Sequence, residues 1–229
     1  MRVVVLTGAG ISAESGIPTF RGPDGLWEGH RVEDVATPEA FVRDPEFVHR
    51  FYNMRRNKLL SPEIQPNAAH IALANFEARP GIEFLLITQN IDDLHVRAGS
   101  KNVLPMHGEL LKARCLDTGE LFPWREDLSM GTPHPKHPER LGRLRPHIVW
   151  FGEVPLGMDQ IEDAAHRADL FLAIGTSAVV YPAAGIVQWT KPSCRRVEIN
   201  MEATPQSNRF HESLRGPASQ LVPKYLDEL

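Results

Sequence analysis

Short apolar runs bounded by turn-forming residues recur along the chain, at 3–6, 84–88, 102–106, 147–151, 170–174 and 196–199. Their length and their β-branched content predict buried strands of a central sheet. Between them, apolar residues return at helical spacing over 45–60, 67–78, 158–168 and 182–190, and 218–229 reads as a closing helix. Strands alternating with helices predict an α/β protein built on a parallel sheet. Two stretches break the alternation: 37–66, helical and basic, and 112–146, rich in Pro, Gly, Arg and His. They are expected to form a second, smaller lobe.

The 229 residues, 24% charged and 42% hydrophobic, exclude a collagen, a coiled coil or a wholly disordered chain. A formal net charge of −4 argues against nonspecific affinity for nucleic acid or anionic membranes, so neither is an expected partner. No apolar run approaches the roughly 18 residues that span a bilayer, and the run at 3–6 is too short for a signal-peptide core. Two cysteines, Cys115 and Cys194, are too few for a disulfide framework, which makes a reducing cytoplasm the expected compartment.

The first run leads directly into Thr7-Gly8-Ala9-Gly10-Ile11-Ser12-Ala13, in which Gly8, Gly10 and Ala13 satisfy a dinucleotide-binding fingerprint. Glycines there permit a tight turn and close approach of a pyrophosphate, and the next helix offers unpaired N–H groups. A tight turn that binds nothing is the alternative. The helix meets Gly16 and Pro18 almost at once, and no second strand presents Glu33 or Asp34 to a ribose, which disfavours a hydride-transferring dehydrogenase. The segment from Thr19 to Trp27 instead supplies an aromatic, a cation and glycines, as in a loop that closes over a phosphate-bearing ligand, with Arg21 as the pyrophosphate partner.

Gln89, Asn90 and Asp92 follow one predicted strand, and Gly175-Thr176-Ser177 and Asn200 follow two others. All should therefore lie at strand carboxyl ends, where open α/β sheets bind ligands. A carboxamide carries both donor and acceptor, and Asp92 can accept from its nitrogen. His107, in a turn after 102–106, offers an imidazole whose ordinary pKa, near 6.5, suits a general base. Tyr52 and Arg55, three apart on a helix, share a face and together can hold a carboxylate. The extended segment 147–153 is suited to pairing with a peptide backbone. Each feature also has a plain reading: an Asx turn, an N-cap, an exposed histidine, a solvated basic helix face with Arg50, Arg56 and Lys58, or a core strand.

The run Gly8-Ala9-Gly10-Ile11-Ser12-Ala13-Glu14-Ser15-Gly16-Ile17-Pro18-Thr19-Phe20-Arg21 resembles the opening signature of the sirtuins. The likeness continues in order through Thr88-Gln89-Asn90-Ile91-Asp92, His107-Gly108, Pro146-His147-Ile148-Val149-Trp150-Phe151-Gly152-Glu153, Gly175-Thr176-Ser177 and Glu198-Ile199-Asn200. It implies a Rossmann-like lobe of residues 1–36, 67–111 and 147–229 with the smaller lobe inserted as 37–66 and 112–146. It also implies an NAD-dependent protein lysine deacylase that consumes NAD and yields deacylated lysine, nicotinamide and O-acyl-ADP-ribose. Its partners would be acylated lysine side chains of proteins.

By the same resemblance His107 is the general base and Asn90 acts beside it at the nicotinamide ribose. NAD would be bound by Gly8, Ala9, Gly10, Ser12, Ala13, Phe20, Arg21 and Trp27, and by Gln89, Asn90, Ile91 and Asp92. Gly175, Thr176, Ser177, Asn200, Met201, Glu202 and Ala218 would complete its site. Val149, Phe151, Gly152 and Glu153 would receive the substrate lysine and its peptide. Tyr52-Asn53-Met54-Arg55 resembles the subclass that removes succinyl and malonyl groups, which implies desuccinylation beside deacetylation.

The pattern fails at the zinc-binding cysteines, because the family's usual two pairs are reduced here to Cys115. Asp117, His134 and His137 could join it as ligands, but an apolar core of Leu116, Leu121, Phe122, Trp124, Leu128 and Leu141 is the expectation in place of a metal. Two other functions stay open: a nucleotide-binding regulatory module without catalysis, and an NAD glycohydrolase.

Overall fold

The first strand, β1 (Arg2–Thr7), is buried at every position after Arg2, which is what a continuous Val/Leu run requires of a strand covered on both faces. It opens a computed structural model that describes residues 1–19, 27 and 29–229. β1 leads into α1 (Ala9–Ala13), which ends within five residues as the chain turns at Gly16, where φ is +88°. Helices α2 (Val32–Val35), α3 (Pro38–Arg43) and α4 (Pro45–Leu59) follow, the last two started by Thr37 and Asp44 side chains that accept from backbone N–H groups. Next come α5 (Ala68–Glu77), β2 (Glu83–Thr88), α6 (Leu94–Arg97) and β3 (Val103–Pro105).

The chain then makes β4 (Gly108–Cys115), β5 (Leu121–Pro123), the hairpin β6 (Pro133–His134) and β7 (His137–Leu141), and β8 (Leu144–Ile148). It closes with α7 (Met158–Arg167), β9 (Leu170–Ile174), β10 (Arg195–Asn200), β11 (Glu212–Arg215) and α8 (Ala218–Asp227). The sheet order is β11-β10-β9-β1-β2-β3, parallel throughout, as the sequence predicts. From β1 the chain builds outward to β2 and β3, then returns to β9 on the other side. The carboxyl ends of β1 and β9 thus form the switch point at which such sheets open a crevice.

One apolar cluster packs α5 and α8 on one face of the sheet, and a second packs α7 and a 3-10 turn over Ala183–Trp189 on the other. That turn replaces the α-helix expected at 182–190. A third cluster joins α2, α3 and α4 to β4 and β8 through Tyr52, Leu110, Ile148 and Trp150. The strand expected at 147–151 also differs. β8 begins earlier, at Leu144, and pairs antiparallel with β4 in a separate three-stranded sheet, while 149–151 lie beyond it. Buried Arg145 hid its first residues from a hydrophobicity reading.

The fourth cluster gathers Ala113, Cys115, Phe122, Leu128 and Leu144, with Trp124 against it. Phe122, Trp124 and Leu128 are therefore where the sequence put them. Leu116, Leu121 and Leu141 are not: they are exposed, and Leu144, Ala113 and Cys115 take their place. Strand alternation turns Leu121 outward beside buried Phe122, Leu116 lies in the turn beyond β4, and Leu141 belongs to β7, which is exposed along its whole length.

Candidate active site

At the switch point two glycine loops pack backbone to backbone. Gly8 N donates to Ile174 O at 3.0 Å, Gly10 N to Gly175 O at 2.8 Å and Gly175 N to Ile199 O at 2.9 Å. A Cβ on Gly10 would sit 2.7 Å from Gly175 Cα, and one on Gly175, where φ is +62°, would sit 2.3 Å from Ile11 N. The fingerprint glycines are thus demanded by the neighbouring loop as well as by any ligand above them.

Above these loops lies a cavity of about 590 Å³. Its wall takes in Gly8, Ala9, Gly10, Trp27, Gln89, Asn90, Ile91, Asp92 and His107, then Gly175, Thr176, Ser177, Asn200, Met201, Glu202 and Ala218. It also includes Tyr52, Arg55, Val149, Phe151, Gly152 and Glu153. Two expected site residues stay off the wall: Ser12 is buried behind it and Ala13 faces solvent. Phe20 and Arg21 lie outside the described residues. Leu110, Trp150 and Tyr181 line the cavity although the sequence reading assigned them no role. The first two belong to segments whose packing partners are distant in sequence.

Ser12 organises the polar floor. Its Oγ donates to Asp92 Oδ2 at 3.0 Å and accepts from Asn90 Nδ2 at 3.1 Å. His70 Nε2 also approaches it at 3.4 Å, and because Asn67 N donates to His70 Nδ1, Nε2 is the ring nitrogen that carries hydrogen. Asn90 Nδ2 further donates to Gly8 O at 3.2 Å, which fixes its amide orientation. Burial raises the Asp92 pKa to about 6, against hydrogen bonds from the Leu94 amide and Ser12 that favour the carboxylate. His70 and His95, missed as members of this floor, lie with ring centroids 4.8 Å apart and tilted by 56°, and no local sequence pattern signals it.

His107 is set by its bond to the chain at Gln89: its Nδ1 lies 3.0 Å from the Gln89 carbonyl oxygen. A carbonyl can only accept, so Nδ1 carries the hydrogen and Nε2 holds the lone pair. Burial also lowers the pKa, opposed by that hydrogen bond, so the neutral ring is favoured. Gln89 is itself braced, its amide donating to Thr176 Oγ1 at 2.9 Å and to Thr7 O at 3.3 Å. At the far end of the cavity the buried Asn200 Nδ2 has no hydrogen-bond partner among the described residues, an orphaned donor that fits a polar ligand.

A protein-family model described as the Sir2 family matches residues 8–182. The chain belongs to the Sir2 family. A Rhodopirellula baltica protein named NAD-dependent protein deacylase is 62% identical over 235 residues, covering 99% of this chain and 98% of the relative. A protein of the same name from Escherichia coli K12 is 59% identical, over 100% of this chain and 82% of its own length. A solved Sir2 homolog–NAD complex matches at TM-score 0.88 and 43% identity, over 99% of this chain and 88% of that one. A Sir2–p53 peptide–NAD+ structure matches at TM-score 0.81 and 30% identity, covering 99% and 92%.

In this Sir2 chain the segment after β8 is held from behind. Arg145, its side chain 7% exposed, donates to Glu153 Oε1 at 2.7 Å and Oε2 at 3.0 Å and to Ile148 O at 2.8 Å. Glu153 also accepts from Trp150 N at 2.8 Å and from Arg114 at 3.3 Å. Its carboxylate is therefore spent on its own loop. Trp150 Nε1 donates to Tyr52 Oη at 3.0 Å, which leaves the phenol proton to donate elsewhere. Arg55 lies over the Phe51 ring at 3.2 Å and donates to Phe51 O at 2.7 Å.

The Sir2 zinc does not fit the residues present. Asp117 is claimed by Arg140 and Arg143, and His134 Nδ1 accepts from Lys136 N at 3.2 Å while its ring packs edge-on against Phe122. Among the described residues no group of three or more His, Cys, Asp or Glu is arranged to hold a metal ion. No described helix is long and apolar enough to cross a membrane.

Proposed function

We propose that this chain is an NAD-dependent protein-lysine deacylase that removes succinyl and malonyl groups as well as acetyl groups, in a reducing cytoplasm. The observation that carries the reading is the tautomer of His107, with its basic Nε2 on the wall of the cavity that also holds Asn90 and Asp92. The names of the relatives and the NAD-bound neighbour support it. The glycine cradle and the orphaned Asn200 donor fit NAD, whose nicotinamide–ribose bond supplies the electrophilic carbon when it is bound.

In this reading Asp92 accepts from the carboxamide nitrogen and the backbone of Ile91 meets its oxygen. Asn90, held by Ser12 and Gly8, faces the nicotinamide ribose. His107 Nε2 takes the proton of a ribose hydroxyl, which makes that oxygen nucleophilic toward the acyl group. Val149 and Phe151 shelter the lysine stem from water, and the backbone at Gly152–Glu153 pairs with the peptide. Backbone pairing recognises no particular flanking residue, so many proteins qualify as substrates. The phenol proton of Tyr52 and the Arg55 guanidinium bind the far carboxylate of a succinyl or malonyl group. Phe20 and Arg21 take the loop-closing and pyrophosphate roles that the resemblance gives them.

The test is mass spectrometry of acetylated and succinylated peptides incubated with and without NAD, using the native chain and His107→Tyr. Deacylation that needs both NAD and His107 is expected. Nicotinamide release without any peptide, at the same rate, marks an NAD glycohydrolase instead; no turnover at all overturns the enzyme.

A further inference from the structure

Of the zinc cysteines that the sirtuin resemblance implies only Cys115 is present, and Asp117 and His134 are engaged by other side chains and backbone groups. We propose that the three-stranded sheet and its loops are held without a metal, by two side-chain clamps: Asn53 and Arg56 of α4 on the backbone of 126–128, and Arg140 and Arg143 on Asp117.

The first clamp is made of bonds to main chain. Asn53 Nδ2 donates to Leu128 O at 2.8 Å while Leu128 N donates to Asn53 Oδ1 at 2.9 Å, so one side chain satisfies both polar groups of one residue. Arg56 Nη1 donates to Asn53 Oδ1 at 2.7 Å and to Glu126 O at 3.1 Å, and its Nε donates to Leu110 O at 3.2 Å. The guanidinium therefore ties α4, β4 and the 126–128 loop at one point. Arg56 is fully buried, and burial lowers its pKa to about 10, opposed by Asp127. The desolvation cost of such a buried charge is offset here by the bonds of Nε and Nη1, while Nη2 has no partner among the described residues.

The second clamp closes the opposite end. Asp117 lies in the turn after β4, and it accepts from Arg140 Nη2 at 2.8 Å and from Arg143 Nε at 3.1 Å, with a second bond from Arg143. These bonds join positions 23 and 26 residues apart, spanning the loop that a metal site would otherwise close. Between the clamps lies the small apolar cluster of Phe122, Leu128 and Leu144. Cys115 is buried in that cluster, and its thiol already accepts from the Thr118 hydroxyl and from the amides of Asp117 and Thr118.

The experiment is metal analysis by plasma mass spectrometry of the full chain produced in zinc-supplemented medium, together with thermal unfolding with and without chelator. Zinc far below one per chain and an unchanged Tm after chelation are expected. Asn53→Ala, which leaves both Leu128 groups without their partner and takes one of three bonds from Arg56, should lower Tm by about 3–6 °C, and Asp117→Asn should lower it by less. About one tightly held zinc per chain, or a Tm that falls on chelation, overturns the proposal. So does an Asn53→Ala chain that melts with the native one, and the metal measurement decides even if that variant does not fold.

Discussion

His107 donates its Nδ1 hydrogen to the Gln89 carbonyl at 3.0 Å, and this bond decides which ring nitrogen is basic. Replacing His107 with Tyr or Asn should lower kcat for peptide deacylation by about 10²–10⁴-fold, the usual contribution of a general base, with NAD binding changed by less than tenfold. Steady-state kinetics alongside calorimetric NAD titration checks it. Equal losses in both would show a site that has collapsed rather than lost a base.

Tyr52 and Arg55 give a selective prediction. Arg55→Met should lower kcat/KM for succinyl-lysine by at least about tenfold, the value of roughly one charge-assisted bond, and leave acetyl-lysine within a few-fold. Tyr52→Phe should act in the same direction and more weakly, although it also removes the acceptor for Trp150 Nε1. Parallel loss of both activities in Arg55→Met sinks the assignment.

Acid should unfold the protein through buried histidines. Burial lowers the His49 and His70 pKa values to about 4 from 6.5, so the native state binds fewer protons than the unfolded chain between those values. Stability from the neutral rings is therefore full above pH 6.5 and is lost as pH falls toward 4. Both ring nitrogens of His49 lack partners among the described residues, so His49→Phe should raise Tm at pH 5 by several degrees and by less at pH 8. A Tm difference independent of pH contradicts this.

Asp92 works in the opposite sense. Its pKa is raised from 3.8 to about 6, so the native state favours the protonated form. The associated stability is full below pH 3.8 and disappears as pH rises through about 6, where the carboxylate needed for the carboxamide forms. kcat/KM for NAD should accordingly fall as pH drops through about 6, and Ser12→Ala, lacking the donor at 3.0 Å, should move that limb to higher pH. An unmoved limb means that Ser12 does not act through Asp92.

Gly175→Ala should lower Tm by about 5 °C or more and weaken NAD binding, because the added Cβ meets backbone at 2.3 Å where φ is +62°. Gly29→Ala, also at positive φ but with nothing within 4 Å, should cost less. Comparable melting of the two variants would remove the close-packing argument.

The sequence by itself determined the parallel sheet and the order of the site segments, because both are written locally. A run such as Leu170–Ile174 can be stable only when buried on both faces, and a glycine turn after it announces the strand end. Tertiary structure decided the rest. The first residues of β8 escaped notice because Arg145 is a buried polar residue beside Pro146, and β11 because its ESLR sequence half-faces solvent at a sheet edge. That Gly10 needs to be glycine on account of Gly175 depends on two loops meeting across the fold, as does the Ser12–Asp92 bond and the choice of basic nitrogen on His107. Local pattern reports how each segment buries its own apolar face; hydrogen-bond direction, proton position and backbone clearance are set by partners far along the chain.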